Sequence, residues 1–259
     1  ALILTSPNPE HHAGAASILD YLHVRELLHP ASVAPELERD DLARVLKARS
    51  PSRLKHTLSG TCVESRALAA GDRLFESESN GKPFAIEVLG PAEGDAQTPL
   101  SLRIVYGDFA MLIPSDLTFP QQQALLESAG PDALRAQVVI APNHGTAGLE
   151  GITIGMPKNY ALLQETATGG LLKAAGAEAV VFEFGNPRPI VGDKYKVAVK
   201  LHGSARRSAE DVLPEARHLA TDTDGSITIV SDGSGYTLNA QYDTAAGFTD
   251  APTSLEVGW

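Results

Sequence analysis

A chain of 259 residues with 43% hydrophobic and 20% charged residues can bury a globular core, which excludes collagen-like, coiled-coil and wholly disordered proteins. Its 21 Lys and Arg against 32 Asp and Glu give a net charge of −11, so any surface that grips nucleic acid must be a local one. Two basic-leaning stretches, Arg39–His56 and Arg188–Arg207, are interpreted as solvated faces. The sequence predicts neither a signal peptide nor a transmembrane segment within this chain.

Along the first half of the chain, short apolar runs typical of strands alternate with segments whose apolar residues have helical spacing. Strands are predicted at Ala1–Thr5, His23–Leu28, Phe84–Leu89 and Leu100–Tyr106. Helices are predicted at Ala13–Leu22, with Ile18, Leu19 and Leu22 on one face, and at Glu36–Ala48.

The second half of the chain continues the same mixture. Strands are predicted at Phe109–Ile113, Gln137–Ala141 and Ala179–Phe184, with a late hairpin of Ser226–Val230 and Tyr236–Leu238. Helices are predicted at Pro120–Ser128 and at Tyr160–Ala175, the latter ending at Gly176. Paired strands mixed with helices indicate stacked sheets with helices outside, in a single domain over residues 1–242 followed by a flexible tail over 243–259.

Three loops that directly follow apolar strands carry residue types that bind metals. These loops are Ser6–His12, Pro114–Asp116 and Pro142–Thr146. Ligand sites gather at the sheet edge where strands end. The residue types present are Glu10, His11, His12, Asp116 and His144. Imidazole and carboxylate together suit zinc or manganese better than calcium, although each residue alone is also compatible with an ordinary loop position.

Five segments resemble, in order, those of one known family. The segments TSPNPEHHAG, SLRIVYGDFAMLIPSDL and VVIAPNHGT are similar to the metal-binding segments of the metallo-β-lactamase-type domain of the ComEC competence proteins. Further on, LLKAAGAEAVVFEFGNPRP and ARHLATDTDGSITIVSDG resemble a later strand and hairpin of that family. The resemblance implies an α/β fold, the αββα sandwich, with its metal site at one edge and a role in DNA uptake.

The chain departs from the family's motif in the first loop. Ser6 and Asn8 stand where the family has its first two metal-binding histidines, and neither is a zinc ligand of the usual kind. Glu10 replaces the family's Asp, and His11 is kept. The first metal position is therefore expected to be vacant.

The second and third loops keep more of the motif. Asp116 matches the family's bridging Asp, with Ser115 in place of Gly, and Asn143-His144 stands for the family's His-His pair. The sequence leaves open which residue of that pair faces the metal. Glu10, His11, Asp116 and His144 form a plausible set for one Zn²⁺ or Mn²⁺ ion, but they are equally able to remain without metal.

Two functions follow from this resemblance. The first is a ComEC-like domain that is degenerate in metal binding and catalysis and serves DNA uptake as a structural or binding domain. The alternative is a residual metal-dependent phosphodiesterase acting on single-stranded DNA, with Asp116 as the catalytic residue. A two-metal hydrolase needs ions about 3.5–4 Å apart, so the missing histidines favour the first function.

The family also has a strand pair with a DVGQGD-like segment before the strand that corresponds to Ala1–Thr5. No such segment is found in this sequence. Either the chain is a fragment or one sheet has an unpaired edge, and such an edge would favour self-association. As part of a ComEC-like protein, the domain would be membrane-associated beside a membrane channel domain.

Overall fold

The computed structural model describes residues 1–6, 11, 14–31, 63–91, 98–145, 168–184, 203 and 205–242. The strands of the first half are β1 (Leu2–Ile3), β2 (Glu26–Pro30), β3 (Glu64–Leu68), β4 (Arg73–Ser79), β5 (Lys82–Gly90), β6 (Ser101–Tyr106) and β7 (Phe109–Ile113). Those of the second half are β8 (Val138–Ile140), β9 (Ala179–Phe182), β10 (Arg217–Ala220), β11 (Ile227–Ser231) and β12 (Tyr236–Ala240). The helices are α1 (Ala15–Tyr21), α2 (Phe119–Ala129), α3 (Pro131–Leu134), α4 (Gly169–Ala175) and α5 (Thr221–Asp224).

A large mixed sheet forms the centre of the fold. Its seven strands lie in the order β10-β9-β8-β7-β6-β5-β4. The pairs from β4 to β7 are antiparallel, whereas β7, β8, β9 and β10 run parallel to one another. Because parallel strands end at the same edge of a sheet, the segments that follow β7, β8 and β9 meet at one rim.

A smaller sheet packs face to face on the larger one. It consists of the parallel strands β1, β2 and β3, in that order. Leu28 and Leu68 of the small sheet share a buried cluster with Leu74, Val88 and Leu102 of the large sheet. This apolar layer, removed from water on both sides, holds the two sheets together.

Helices cover the outer faces of both sheets. Leu19 of α1 packs on Leu27 of the small sheet, and Leu125 of α2 and Leu171 of α4 belong to the cluster that covers Val139 on the large sheet. The order is therefore helix, sheet, sheet, helix. The α/β fold and the αββα sandwich predicted from the sequence are confirmed.

The hairpin of β11 and β12 covers a second part of the large sheet. Ile229 and Leu238 of the hairpin pack on a cluster that contains Phe109, Val138 and Val181. This face lies opposite the one under α2 and α4, because successive strand residues point to opposite sides. The predicted hairpin around Asp232-Gly233 is therefore confirmed, and the structure shows what it packs on.

Most predicted elements are observed, with differences at their ends. Helix α4 ends at Gly176, whose φ of 63° is left-handed as expected. The strand predicted at His23–Leu28 is wrong in its bounds, since β2 (Glu26–Pro30) begins three residues later and ends two residues later. The bounds of β2 follow from its parallel pairing with β3 over its whole length, a long-range contact that the local apolar run does not contain.

The predicted buried face of the first helix is partly wrong. Leu19 is fully buried, but Ile18 is 38% exposed and Leu22, at the end of the helix, is 59% exposed. The short helix turns a narrow stripe of Ala15 and Leu19 toward the small sheet, so only that stripe is covered.

Two strands of the large sheet were not predicted from the sequence. These are β10 (Arg217–Ala220) and β4 (Arg73–Ser79), neither of which has a clear apolar alternation. The predicted helix Glu36–Ala48 and the tail 243–259 lie outside the described residues. Among the described residues, no helix is both long and apolar enough to cross a membrane.

Burial of His29 makes the stability of the fold depend on pH. His29 of β2 is 3% exposed, with Nδ1 2.8 Å from the Pro30 carbonyl oxygen and Nε2 2.9 Å from the Ser65 hydroxyl. Loss of solvation lowers the pKa of His29 from its ordinary value of 6.5, and the hydrogen bond to Pro30 opposes this only in part. The unfolded chain therefore takes up the proton first as the pH falls.

We expect the stability of the protein to fall as the pH drops below about 6.5, the ordinary histidine value, because protonation favours the unfolded state. Thermal unfolding between pH 7.5 and pH 5 measures this. His29→Gln should be less stable at pH 7.5 but should lose less on acidification. An equally steep fall in His29→Gln would assign the acid sensitivity to other groups.

Candidate metal centre

Asp116 lies in the loop that follows β7. The chain turns sharply at Ser115, whose φ of 57° is in the left-handed region that residues with a Cβ rarely adopt. The Ser115 hydroxyl donates to the Thr5 carbonyl oxygen at 3.3 Å, which links this loop to the end of β1. The turn leaves the Asp116 side chain only 12% exposed at the rim.

His144 lies in the tight turn Pro142–Gly145 that follows β8. Asn143 (φ 46°) and His144 (φ 54°) are both left-handed, and the backbone N–H of Asn143 donates to the Ser115 carbonyl oxygen at 2.7 Å. The two loops are thus bonded directly to each other. Ser115, Asn143 and His144 are thus three neighbouring residues other than glycine with left-handed backbones. Such backbone strain costs about 1–3 kcal/mol per residue and is concentrated at functional sites.

Gly145 allows this turn to lie against β9. A Cβ on Gly145 would come within 2.5 Å of Phe182 Cδ1, and the φ of 82° is also left-handed. Phe182 and Phe184 are buried and stacked, with ring centroids 5.3 Å apart. The turn that carries His144 therefore packs against the rings of Phe182 and Phe184.

His11 approaches Asp116 from the segment after β1. Its Nε2 atom is 3.3 Å from Asp116 Oδ2, and the Nε2 atom of His144 is 3.5 Å from Asp116 Oδ1. The two imidazole rings are stacked, with centroids 5.3 Å apart and planes 10° from parallel. One ligand atom from each of the three residues lies within 4.8 Å of the other two.

The donor chemistry of this cluster fits a metal ion. Asp116 Oδ2 is buried and makes no hydrogen bond of good geometry with any described residue. A buried carboxylate oxygen without a donor is costly, and a cation between it and the imidazoles would relieve that cost. His11 Nε2 lies 3.3 Å from Oδ2 and His144 Nε2 lies 3.5 Å from Oδ1, so each imidazole faces a different oxygen of the same carboxylate.

The structure brings three of the four predicted metal ligands together. His11, Asp116 and His144 meet at the rim, whereas Glu10 lies outside the described residues, as do Asn8 and His12. Of the Asn143-His144 pair, His144 is the residue that approaches Asp116. Ser6 is only 2% exposed, and the vacancy of the first metal position stays a prediction.

Sequence reasoning missed Glu183, which also reaches this cluster. Its Oε2 atom is 3.9 Å from Nδ1 of His144. Glu183 is the first residue after β9, so it stands at a strand end, where ligand sites gather. It was overlooked because the strand was predicted to continue to Phe184.

Comparison with known proteins gives remote structural similarity only. No family model matches the sequence, and no curated protein matches it. Among solved structures, a mutant of the CmlA beta-hydroxylase matches with a TM-score of 0.48 and 15% identity, over 85% of this chain and 42% of that one. Unliganded yeast PDE1 matches with a TM-score of 0.41 and 11% identity, over 84% of this chain and 65% of that one.

The chain thus spans less than two thirds of the length of either protein. At these identities and TM-scores, no residue role is transferred from them. The three residues that could hold a metal ion are identified by the geometry of this chain alone.

We expect Gly145→Ala to lower the free energy of unfolding more than Gly176→Ala. Both residues are left-handed, but a Cβ on Gly176 meets nothing within 4 Å. Gly176→Ala should therefore cost about 1–2 kcal/mol from backbone strain, and Gly145→Ala about 1–3 kcal/mol more from the clash with Phe182. Denaturant unfolding of both variants measures the difference. Equal costs would show that the turn moves off Phe182 without penalty.

Proposed function

We propose that this chain is a ComEC-like metallo-β-lactamase-type domain that keeps one metal position and has lost the other. In this proposal it serves DNA uptake as a domain that binds single-stranded DNA beside a membrane channel domain, with little or no hydrolysis. The convergence of His11, Asp116 and His144 supports the single metal position. The loops that carry these residues are the ones whose sequences resemble the ComEC segments.

Three protein ligands are the number expected for a single open site. Two imidazoles and one carboxylate form a set that zinc, manganese and ferrous iron all accept. His11 and His144 would each supply Nε2, and Asp116 would supply a carboxylate oxygen. The loop that carries Asp116 is hydrogen-bonded through its backbone to the turn that carries His144. A bound ion would contribute positive charge at a rim of a protein whose net charge is −11, which would help it to attract a phosphate group.

The loss of the first metal position is supported by Ser6. A serine hydroxyl replaces the imidazole that the family has there, and Ser6 is almost fully buried. With one ion there is no symmetric clamp on the attacking and leaving oxygens of a phosphodiester. Efficient hydrolysis is therefore not expected.

A residual phosphodiesterase is the second candidate function. The observation in its favour is that three ligands leave a coordination position open, which is the feature of catalytic rather than structural zinc sites. In this case Asp116 would be the catalytic residue as well as a ligand.

We expect saturable binding of one Zn²⁺ or Mn²⁺ ion per chain that depends on Asp116. Asp116→Asn keeps the shape and removes the charge, so affinity should fall by more than the roughly 10–100-fold that loss of an outer partner of a ligand costs. Isothermal titration calorimetry after chelator treatment measures this. Asp211→Asn, at an exposed position of the helical residues 205–212, is the matched control and should bind as the wild type does.

Activity and DNA binding separate the two candidate functions. Fluorescence anisotropy of a labelled single-stranded oligonucleotide should show binding, and its cleavage in the presence of metal should stay at the level of Asp116→Asn. Cleavage well above that level would favour the phosphodiesterase. If neither metal nor oligonucleotide binds saturably, the proposed function is wrong.

A further inference from the structure

We propose that Glu183 is a positioning residue of the metal centre, which holds the Nδ1–H tautomer of His144 so that Nε2 is free to act as a ligand. This inference rests on the proposed metal-binding function. It concerns a residue that the sequence motifs of the resemblance do not include among the ligands.

The two nitrogens of His144 face different carboxylates. Nε2 lies 3.5 Å from Asp116 Oδ1, and Nδ1 lies 3.9 Å from Glu183 Oε2. A neutral imidazole has one donor and one acceptor, so a metal at Nε2 requires the proton to be at Nδ1. A carboxylate beside Nδ1 stabilises that tautomer and fixes the orientation of the ring, as outer partners of metal-binding histidines commonly do.

The backbone on both sides of Glu183 is held in place. Phe182 and Phe184 are buried, and Thr221 Oγ1 donates to the Phe184 carbonyl oxygen at 2.8 Å. Gly145, next to His144, lies against the ring of Phe182. The chain positions of Glu183 and His144 are therefore fixed relative to each other by packing, which leaves only the Glu183 side chain to adjust.

The side chain has room for that adjustment. A separation of 3.9 Å is longer than a hydrogen bond, but the Glu183 side chain is 56% exposed and can rotate. Contacts of this kind are often long without ligand and shorten when the ligand binds. The distance between Glu183 Oε2 and His144 Nδ1 is thus expected to shorten to hydrogen-bond length when His144 Nε2 coordinates a metal ion.

The test is Zn²⁺ affinity, measured by competition with a chelating indicator. We expect Glu183→Ala to bind Zn²⁺ about 10-fold more weakly than the wild type, at the lower end of the range for loss of such a partner. Glu183→Gln keeps an oxygen acceptor and should fall between the two. Glu78→Gln removes the same charge from β4, four strands away from β8 in the large sheet, and should bind as the wild type does.

A second readout reports the tautomer itself. In the Zn²⁺-bound, ¹⁵N-labelled protein, the His144 Nδ1–H proton should give a protected resonance that is lost in Glu183→Ala and kept in Glu78→Gln. Thr221→Val, which removes the hydrogen bond to the Phe184 carbonyl oxygen, should weaken the resonance without touching the imidazole. Loss of affinity with an unchanged resonance would indicate a general charge effect and would overturn the positioning role.

The outcomes also separate this inference from the proposed function. If the wild type binds Zn²⁺ and Glu183→Ala binds it equally well, the positioning role is wrong and the metal centre stands. If the wild type shows no saturable binding, the proposed function fails and this inference fails with it.

Discussion

The hydrogen bond between Asn143 N–H and the Ser115 carbonyl oxygen is the contact on which the site depends. It joins the loop after β7 to the turn after β8, and each of these carries one side chain of the metal centre. Both partners have left-handed backbone conformations, which are unfavourable outside a packed structure. The surrounding sheet must therefore supply the free energy that keeps these turns in place.

That free energy comes from the packing of the sandwich around the rim. The parallel pairing of β7 with β8 and of β8 with β9 brings three strand ends to one edge, and Phe182 supports the turn at Gly145. The small sheet is hydrogen-bonded to segments of the large sheet beside this rim. The Thr5 carbonyl oxygen, just after β1, accepts hydrogen bonds from Leu100 N–H and the Ser115 hydroxyl. The loop of His11 therefore begins beside the loop of Asp116.

The chemistry of the rim follows from what these constraints bring together. Two imidazoles and a mostly buried carboxylate converge, and one carboxylate oxygen has no well-formed hydrogen bond within the described part of the chain. Acceptor atoms that face one another in a partly buried cluster are destabilising unless a proton or a cation lies between them. Ser6 adds no third imidazole to the cluster, and a single metal position is the prediction that follows from it.

Elements with strong local signals can be predicted from the order of residues. The strands around Gly107-Asp108, the helix end at Gly176 and the hairpin at Asp232-Gly233 follow from apolar runs and turn residues, which act over a few positions. His11, Asp116 and His144 could likewise be predicted as candidate ligands, because each stands in a loop that follows an apolar strand. The choice between Asn143 and His144 could not, since it depends on the φ angles that the turn adopts against β9.

The remaining strands, the exposure of α1 and the position of Glu183 depend on contacts between segments that are far apart in the chain. Strands β4 and β10 have no clear periodicity and form because neighbouring strands offer backbone partners. The exposure of Ile18 and Leu22 follows from how narrow a stripe α1 presents to the small sheet. Glu183 joins the site through the parallel register of β8 and β9, a contact between residues 39 positions apart (183 − 144). Residue order specifies which groups are available, but distances between such remote groups are set by sheet pairing and core packing, which no local pattern contains.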